Sequence, residues 1–154
     1  MQRGSSFDCA LRVLALRDHS EAELRRKLSQ KGYEPAEVAE SVARLHELSY
    51  LDDTRFARSF AESSIRNGRG YGARLKLELS RRGVAALIIQ EVLAELSEEY
   101  GEAGVLSSTI ERRFAGFDPE SATEKEKRKV VAYLQRKGFT LSAILAGLKI
   151  HSIY

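Results

Sequence analysis

Apolar residues recur at intervals of three and four along most of the chain, which is the spacing of amphipathic helices. One pattern occurs three times: a basic helix with inward aliphatic residues ends at Gly32, at Gly83 and at Gly138. Apolar residues follow six and ten positions after each glycine, at Val38 and Val42, Ile89 and Leu93, and Ile144 and Leu148. The glycines lie 51 and 55 residues apart. A repeat of this length predicts tandem copies of one structural module.

Each predicted module has three helices: a first amphipathic helix, a basic second helix that ends at the glycine, and a third helix with an aliphatic stripe. We therefore expect an all-α fold of three tandem three-helix repeats, in residues 1–49, 50–99 and 100–154. Because a short helix cannot bury its apolar face alone, the modules are expected to stack into an elongated, curved array. A single compact bundle of nine helices is the alternative that the pattern leaves open.

Local signals predict where several helices begin and end. Ser20 and Glu23 have the spacing of a capping box at the start of the second helix, and Ser121 and Glu124 repeat that spacing before the eighth. The repeated glycines mark the ends of the second, fifth and eighth helices, because glycine adopts the left-handed backbone of a helix stop without a Cβ penalty.

Composition narrows the class of protein. Of the 154 residues, 43% are hydrophobic, 31% are charged and two are proline, which favours helices over sheet. The single cysteine, Cys9, excludes an internal disulfide framework and fits a reducing compartment. No apolar run approaches the roughly 20 residues that cross a bilayer, and the first residues lack the apolar core of a signal peptide. We expect a soluble, cytoplasmic protein without membrane contact.

Charge is distributed unevenly, although the formal net charge is only +3. Residues 66–82 include six basic side chains and one acidic side chain, whereas residues 91–102 include five acidic side chains and no basic one. Such polarity allows one face to meet an anionic partner. The candidates for contact with an acidic surface or phosphate are Arg25, Arg26, Lys27, Arg66, Arg69, Arg74, Lys76, Arg81 and Arg82. A solvated helix face is the alternative, and we prefer that interpretation for the basic run 125–129.

The residues that carry catalysis or bind metals in other proteins have simpler roles here. Asp52 or Asp53 is expected to cap the fourth helix, and Cys9 lies on an apolar stripe that predicts a core position. The three histidines are far apart, lack metal-ligand spacing and are expected at the surface or at helix ends: His19, His46 and His151. The sequence predicts no enzyme and no cofactor.

The aromatic residues divide into two expected groups. Phe56 and Phe60 are one helical turn apart, which favours packing in the core. Tyr50 and Tyr71 stand in predicted turns and are the candidates for exposed aromatic side chains.

Several segments resemble one known family. Residues 49–57, Ser-Tyr-Leu-Asp-Asp-Thr-Arg-Phe-Ala, are similar to the Gly-Tyr-Leu-Asp-Asp-x-Arg-Phe-Ala pattern of the RecX family, which regulates the RecA recombinase of bacteria. The segments 23–32, 68–83 and 125–139 also resemble that family, and the likeness extends from about Ala10 to Leu148. The chain departs from the pattern at Ser49, where glycine is usual.

The resemblance implies a fold of three tandem three-helix modules and a regulatory role without catalysis. It also implies binding along the groove of the RecA filament on single-stranded DNA, with effects on ATP hydrolysis, strand exchange and repressor cleavage. From this we expect a monomer that inhibits RecA and that contacts single-stranded DNA weakly or through the filament. A helical protein that binds DNA on its own is the competing hypothesis, motivated by the paired helices and the basic fifth helix.

Overall fold

The computed structural model of the chain describes residues 4–151. Within that range the backbone forms nine α-helices and no strand: α1 Ser6–Leu16, α2 Glu21–Gln30, α3 Pro35–Glu47, α4 Asp53–Arg66, α5 Gly72–Arg81, α6 Ala86–Glu99, α7 Glu102–Arg113, α8 Glu124–Arg136 and α9 Leu141–Leu148. About 71% of residues 4–151 are helical. The predicted all-α class is confirmed.

The three repeated glycines end α2, α5 and α8 as expected. Their φ angles are 92° at Gly32, 84° at Gly83 and 105° at Gly138, all in the left-handed region. In each case the N–H after the glycine donates to a carbonyl five residues earlier: Tyr33 to Leu28 at 3.3 Å, Val84 to Leu79 at 3.1 Å and Phe139 to Leu134 at 3.3 Å. This hydrogen bond defines the Schellman ending of a helix, so the sequence repeat is also a structural repeat.

The capping box predicted for α2 is present. The Ser20 Oγ accepts a hydrogen bond from the Glu23 N–H at 3.1 Å, and the Glu23 Oε1 accepts one from the Ser20 N–H at 3.1 Å. The pair therefore satisfies two backbone donors at the start of the helix.

The capping box predicted at Ser121 and Glu124 is wrong by two residues. The N-cap of α8 is Thr123, whose Oγ1 accepts from the Glu126 N–H at 3.1 Å, while the Glu126 carboxylate accepts from the Thr123 N–H at 3.3 Å. Ser121 belongs instead to the preceding turn, where its hydroxyl donates to Asp118 at 3.2 Å. Ser121–Glu124 and Thr123–Glu126 both have the spacing of a capping box. Because Ser121 is held in the turn around Asp118, the helix begins after Thr123.

Contacts divide the described residues into two compact units. The first unit consists of the residues up to Ser59 together with Glu78–Val92, and the second of Phe60–Leu77 together with the residues from Leu93 onward. Helices α4, α5 and α6 contribute to both units. The module boundaries at 49/50 and 99/100 stay a prediction.

The core of the first unit is mainly aliphatic. Leu24 and Leu28 of α2 pack with Val42 and Leu45 of α3, and none of the four exposes more than 1% of its surface. Cys9 of α1 joins the same cluster at 4% exposure, which confirms its predicted core position. Full burial of one such side chain stabilises the fold by roughly 1.5–3 kcal/mol.

The second unit has an equivalent core. Leu106 of α7, Val131 and Leu134 of α8, and Ile144 of α9 are each at most 2% exposed. Gly147 of α9 allows close approach to α7, because a Cβ there would lie 3.0 Å from the Leu106 side chain. Of the six apolar positions predicted after the repeated glycines, Leu93 is half-buried and the other five are at most 3% exposed: Val38, Val42, Ile89, Ile144 and Leu148.

Two of the predicted surface residues are buried. Tyr71 is 7% exposed, its ring stacks on Phe139 with centroids 5.5 Å apart, and its hydroxyl donates to the Tyr100 carbonyl at 2.7 Å. His19 is 3% exposed and its Nδ1 lies 2.9 Å from the Arg17 carbonyl oxygen. Both predictions relied on position near a turn, which does not determine what packs over a side chain. Tyr50 is 55% exposed, as expected.

Ser49 adopts a backbone conformation that glycine would take more easily. Its φ is 60°, and only one other non-glycine residue in the range 4–151 has a positive φ. Arg55 supports this turn by donating from Nη1 to the Ser49 carbonyl at 3.1 Å. The departure from the family pattern at Ser49 therefore leaves the left-handed turn in place.

Candidate partner-binding surface

A junction in the first unit joins the end of α5 to the start of α2. The Ser20 hydroxyl donates to the Arg82 carbonyl, and the Arg82 Nη1 lies 3.1 Å from the Glu23 Oε2. Gly83 contacts Ala22 so closely that a Cβ at Gly83 would overlap the Ala22 methyl group. The glycine therefore serves two purposes, as a helix stop and as the point of closest approach between two basic helices.

The second unit contains the corresponding junction between the end of α8 and the start of α5. The Tyr71 N–H donates to the Lys137 carbonyl at 2.8 Å, and a Cβ at Gly138 would collide with the Tyr71 carbonyl. Lys137 and Arg82 occupy the same place, immediately before the repeated glycine. In both units a donor at one helix start, the Ser20 hydroxyl or the Tyr71 N–H, satisfies a carbonyl at another helix end.

Charge at the first junction affects the ionisation of Glu23. Burial raises the pKa of this carboxyl, but the hydrogen bond from the Ser20 N–H and the charges of Arg17 and Arg82 outweigh burial. The net result is a pKa of Glu23 below its ordinary value. Glu23 therefore stays ionised and holds the guanidinium of Arg82 at the junction.

The two aspartates at the start of α4 cap two different helices. The Asp52 Oδ1 accepts from the Arg55 N–H at 3.1 Å and caps α4, whereas the Asp53 Oδ1 accepts from the Glu21 N–H of α2 at 2.8 Å. Burial raises the pKa of Asp53, and the nearby Glu21 carboxylate acts in the same direction. The predicted capping role is confirmed, and the second aspartate adds a tie between α4 and α2.

Ion pairs within residues 4–151 engage the candidate cations Arg25, Arg66 and Arg82. Arg25 Nε lies 3.1 Å from Glu21, and Arg82 pairs with Glu23. Arg66 Nη2 lies 3.3 Å from Glu62, and its Nε donates to the Tyr100 hydroxyl at 2.8 Å, which raises the pKa of Arg66. A partner would have to compete with these contacts.

Two further candidates support the turn before α5. Arg69 is exposed, and its Nη2 donates to the Ser63 Oγ at 3.2 Å. The aliphatic part of Arg74 packs against Gly70, where a Cβ would lie 3.1 Å from the Arg74 Cγ, and its backbone lies against Gly138. These arginines combine an exposed charge with a local structural contact.

The remaining four candidates are the residues most available to a partner. Each is exposed, and none forms an ion pair or side-chain hydrogen bond with another residue in the range 4–151: Arg26, Lys27, Lys76 and Arg81. Arg26, Lys27 and Arg81 belong to the first unit and Lys76 to the second.

Sequence inspection missed a cleft in the second unit, between the end of α7 and one face of α8. It has a volume of about 440 Å³ and is lined by aromatic and basic side chains, so we refer to it as the ring-and-cation cleft. Its residues on α8 are spaced by three, one, three and three positions, at Glu126, Lys129, Val130, Tyr133 and Arg136. That spacing is the signal that could have identified it, because such residues share one helix face.

Neither a metal centre nor a membrane-spanning helix is found among the described residues. Within the range 4–151 no group of three or more histidine, cysteine, aspartate or glutamate side chains is placed to hold a metal ion. Among the described helices none is long and apolar enough to cross a membrane.

Comparison with known proteins matches each of the three helix groups. Residues 7–45 match the first three-helix domain of RecX, residues 52–93 the second and residues 105–146 the third. The regulatory protein RecX of Trichlorobacter lovleyi is 42% identical over 138 residues, covering 90% of each chain. That of Syntrophotalea carbinolica is 34% identical over 143 residues, covering 93% of each.

A solved structure supports the same fold. The crystal structure of RecX from Lactobacillus salivarius superposes with a TM-score of 0.73, covering 94% of this chain and 92% of that one, at 20% sequence identity. The three family-model matches and the two relatives define a regulatory protein built from three-helix domains. The chain belongs to the RecX family.

Proposed function

We propose that the chain binds the RecA filament on single-stranded DNA and inhibits its ATPase, strand-exchange and SOS co-protease activities. The observation that carries this proposal is the match to regulatory RecX proteins over about nine-tenths of the chain. The proposal includes a cytoplasmic monomer that requires no cofactor and catalyses no reaction of its own.

The exposed cations support contact with an anionic partner. Arg26, Lys27, Lys76 and Arg81 lie on two repeated helices, α2 and α5. A filament offers the same surface many times, so similar helices on one chain gain affinity through several weak contacts. Contacts with DNA phosphate are insensitive to sequence and weaken with salt, so single-stranded DNA alone is expected to bind weakly.

The ATPase of RecA tests this proposal directly. RecA filaments are assembled on single-stranded DNA, and the chain is added at concentrations below that of RecA. We expect the rate of ATP hydrolysis to fall at substoichiometric amounts. An unchanged rate with RecA from the same organism would contradict the proposal.

Charge reversal on α2 tests the surface. Arg26→Glu with Lys27→Glu should weaken inhibition by about tenfold, because several exposed charge contacts of up to about 1 kcal/mol each are lost. The matched control is Lys125→Glu with Arg128→Glu, which makes the same charge change on exposed positions of α8. Equal effects of both pairs would mean that only net charge matters.

Binding to bare DNA separates the alternative function. Fluorescence anisotropy with single- and double-stranded oligonucleotides of varied sequence gives the affinity and its salt dependence. Tight binding at physiological salt with a sequence preference would favour a protein that acts on DNA alone.

A further inference from the structure

The ring-and-cation cleft has an apolar floor that the fold leaves partly open. Phe114 and Phe117 are half-buried and Val130 is 7% exposed, whereas the neighbouring core residue Leu134 is fully enclosed. Phe114 meets Tyr133 edge to face, with ring centroids 5.3 Å apart. A cavity of about 440 Å³ with such a floor is large enough for an apolar side chain and its neighbouring backbone.

Three cations surround this floor, and none has an acidic partner. Arg113, Lys129 and Arg136 are exposed, and no residue between 4 and 151 forms an ion pair with them. Glu126, the acidic residue of the lining, accepts the Thr123 N–H at 3.3 Å and is held at the start of α8. The rim therefore presents net positive charge to whatever enters.

The ring of Tyr133 is already engaged by cations. The Arg113 guanidinium carbon lies 5.1 Å from its centroid, and the Lys137 Nζ lies 5.5 Å from it. Sequence-independent binding of single-stranded nucleic acid needs open aromatic faces on which bases stack. Arg113 and Lys137 lie over the Tyr133 ring, where a base would stack. The cleft is therefore better suited to an apolar side chain between carboxylates than to a nucleobase.

We propose that the ring-and-cation cleft binds an acidic peptide segment through one apolar anchor side chain. The anchor enters between Phe114, Phe117 and Val130, and acidic residues on either side of it contact Arg113, Lys129 and Arg136. The site lies outside the nine basic positions predicted from the sequence. Its test needs no RecA, so its failure is separate from a failure of the proposed function.

Peptide binding to the full chain provides the test. The probe is a fluorescein-labelled heptapeptide with a central phenylalanine flanked on both sides by glutamate and aspartate, measured by fluorescence anisotropy. One comparison peptide replaces the phenylalanine with serine, and another replaces the acidic residues with their amides. We expect each replacement to weaken binding by about tenfold, which corresponds to about 1.4 kcal/mol.

Variants locate the binding in the cleft. Lys129→Glu with Arg136→Glu should weaken binding of the acidic peptide by about tenfold or more, and Phe117→Ala should weaken it by at least about threefold. The control pair Lys125→Glu with Arg128→Glu carries the same charge change on α8 outside the cleft lining and should leave the affinity within about twofold. Circular dichroism confirms that each variant is folded.

Three results would overturn the proposal. Equal loss with the cleft pair and the control pair would show unspecific charge attraction. Equal binding of the phenylalanine and serine peptides would show that no anchor is used. Binding of fluorescein-labelled oligothymidylate that depends on Lys129 and Arg136, without binding of the acidic peptide, would assign the cleft to nucleic acid.

Discussion

Arg81 and Arg82 are adjacent in sequence but differ in what their side chains contact. Arg81 is exposed without an ion pair in the described part of the chain, whereas Arg82 pairs with Glu23 and accepts the Ser20 hydroxyl at its carbonyl. Sequence alone treated both as equivalent exposed charges. The difference comes from contacts with the start of α2. Ser20 and Arg82 are 62 positions apart in the sequence, so the residues around Arg82 give no local signal of the contact.

Gly83 is the residue at which both backbone conformation and space exclude a side chain. Gly83→Val should lower the free energy of unfolding by about 2 kcal/mol or more, because it adds left-handed strain and a clash with Ala22. Urea denaturation measures the change. Gly104→Ala is the control: its Cβ would meet nothing within 4 Å in α7, so it should be neutral or stabilise by up to about 1 kcal/mol. An unchanged stability for Gly83→Val would show that the junction opens without cost.

His19 should make the first unit less stable in mild acid. Burial lowers the pKa of His19 below its ordinary value of 6.5. Because Nδ1 faces the Arg17 carbonyl, Nε2 is unprotonated in the neutral ring, and protonation would place a charge in the core. The unfolded state then binds more protons, so stability is full above pH 6.5 and falls as pH drops from there toward the folded pKa.

The measurement compares the free energy of unfolding in urea above and below pH 6.5. His19→Gln should reduce the pH dependence of the free energy of unfolding between about pH 7.5 and pH 5.5. The same substitution at the exposed His151 should leave this pH dependence unchanged. The pKa of Glu23 is also lowered, so Glu23 changes stability only below its ordinary value of 4.5, outside this pH range. A slope that His19→Gln does not alter would contradict a neutral buried histidine.

At the scale of single helices, the ends are specified by side-chain hydrogen bonds and the glycines more than by the basic residues. The stops of α2, α5 and α8 were predictable because left-handed glycine has a strong local preference. The start of α8 was not, since the serine at 121 and the threonine at 123 both precede a glutamate by three positions. Only the turn at Asp118 distinguishes them.

Cap substitutions test this assignment. Thr123→Ala should destabilise the chain by about 1 kcal/mol, because it removes the acceptor of the Glu126 N–H. Ser121→Ala, the matched control, should stay within about 0.5 kcal/mol. Thermal denaturation followed by circular dichroism gives both values, and a larger effect at Ser121 would restore the original prediction.

The junction of α5 with α2 allows a similar paired test. Arg82→Glu should cost about 1 kcal/mol or more, since it places a second carboxylate beside the largely buried Glu23. Arg81→Glu should change stability by less than about 0.5 kcal/mol. Raising the salt concentration should reduce the cost of Arg82→Glu, because the pair is only partly shielded from solvent. Equal effects at both arginines would place Arg82 outside the structural contact.

For the whole molecule, periodicity predicted the features that depend on neighbours in sequence. These include the helical class, the three-helix groups and the buried aliphatic positions such as Leu28 and Leu134. It did not predict the burial of Tyr71 and His19 or the cleft beside Tyr133. The burial of Tyr71 depends on Phe139 and Tyr100 from other helices, and the cleft depends on how α7 and α8 lie together. An amphipathic pattern states only that a position is buried, not what it contacts.

The paired junctions suggest that the fold can be lengthened. Ser20 accepts from its own helix and still donates its hydrogen to the carbonyl before Gly83. Thr123 also accepts from its own helix, and no hydrogen bond from its hydroxyl to another residue in the range 4–151 is present. A fourth three-helix segment fused after α9, with its own glycine-ended basic helix, therefore has a ready donor to dock against. The practical consequence is that the same junction can be reused to design longer proteins of this type.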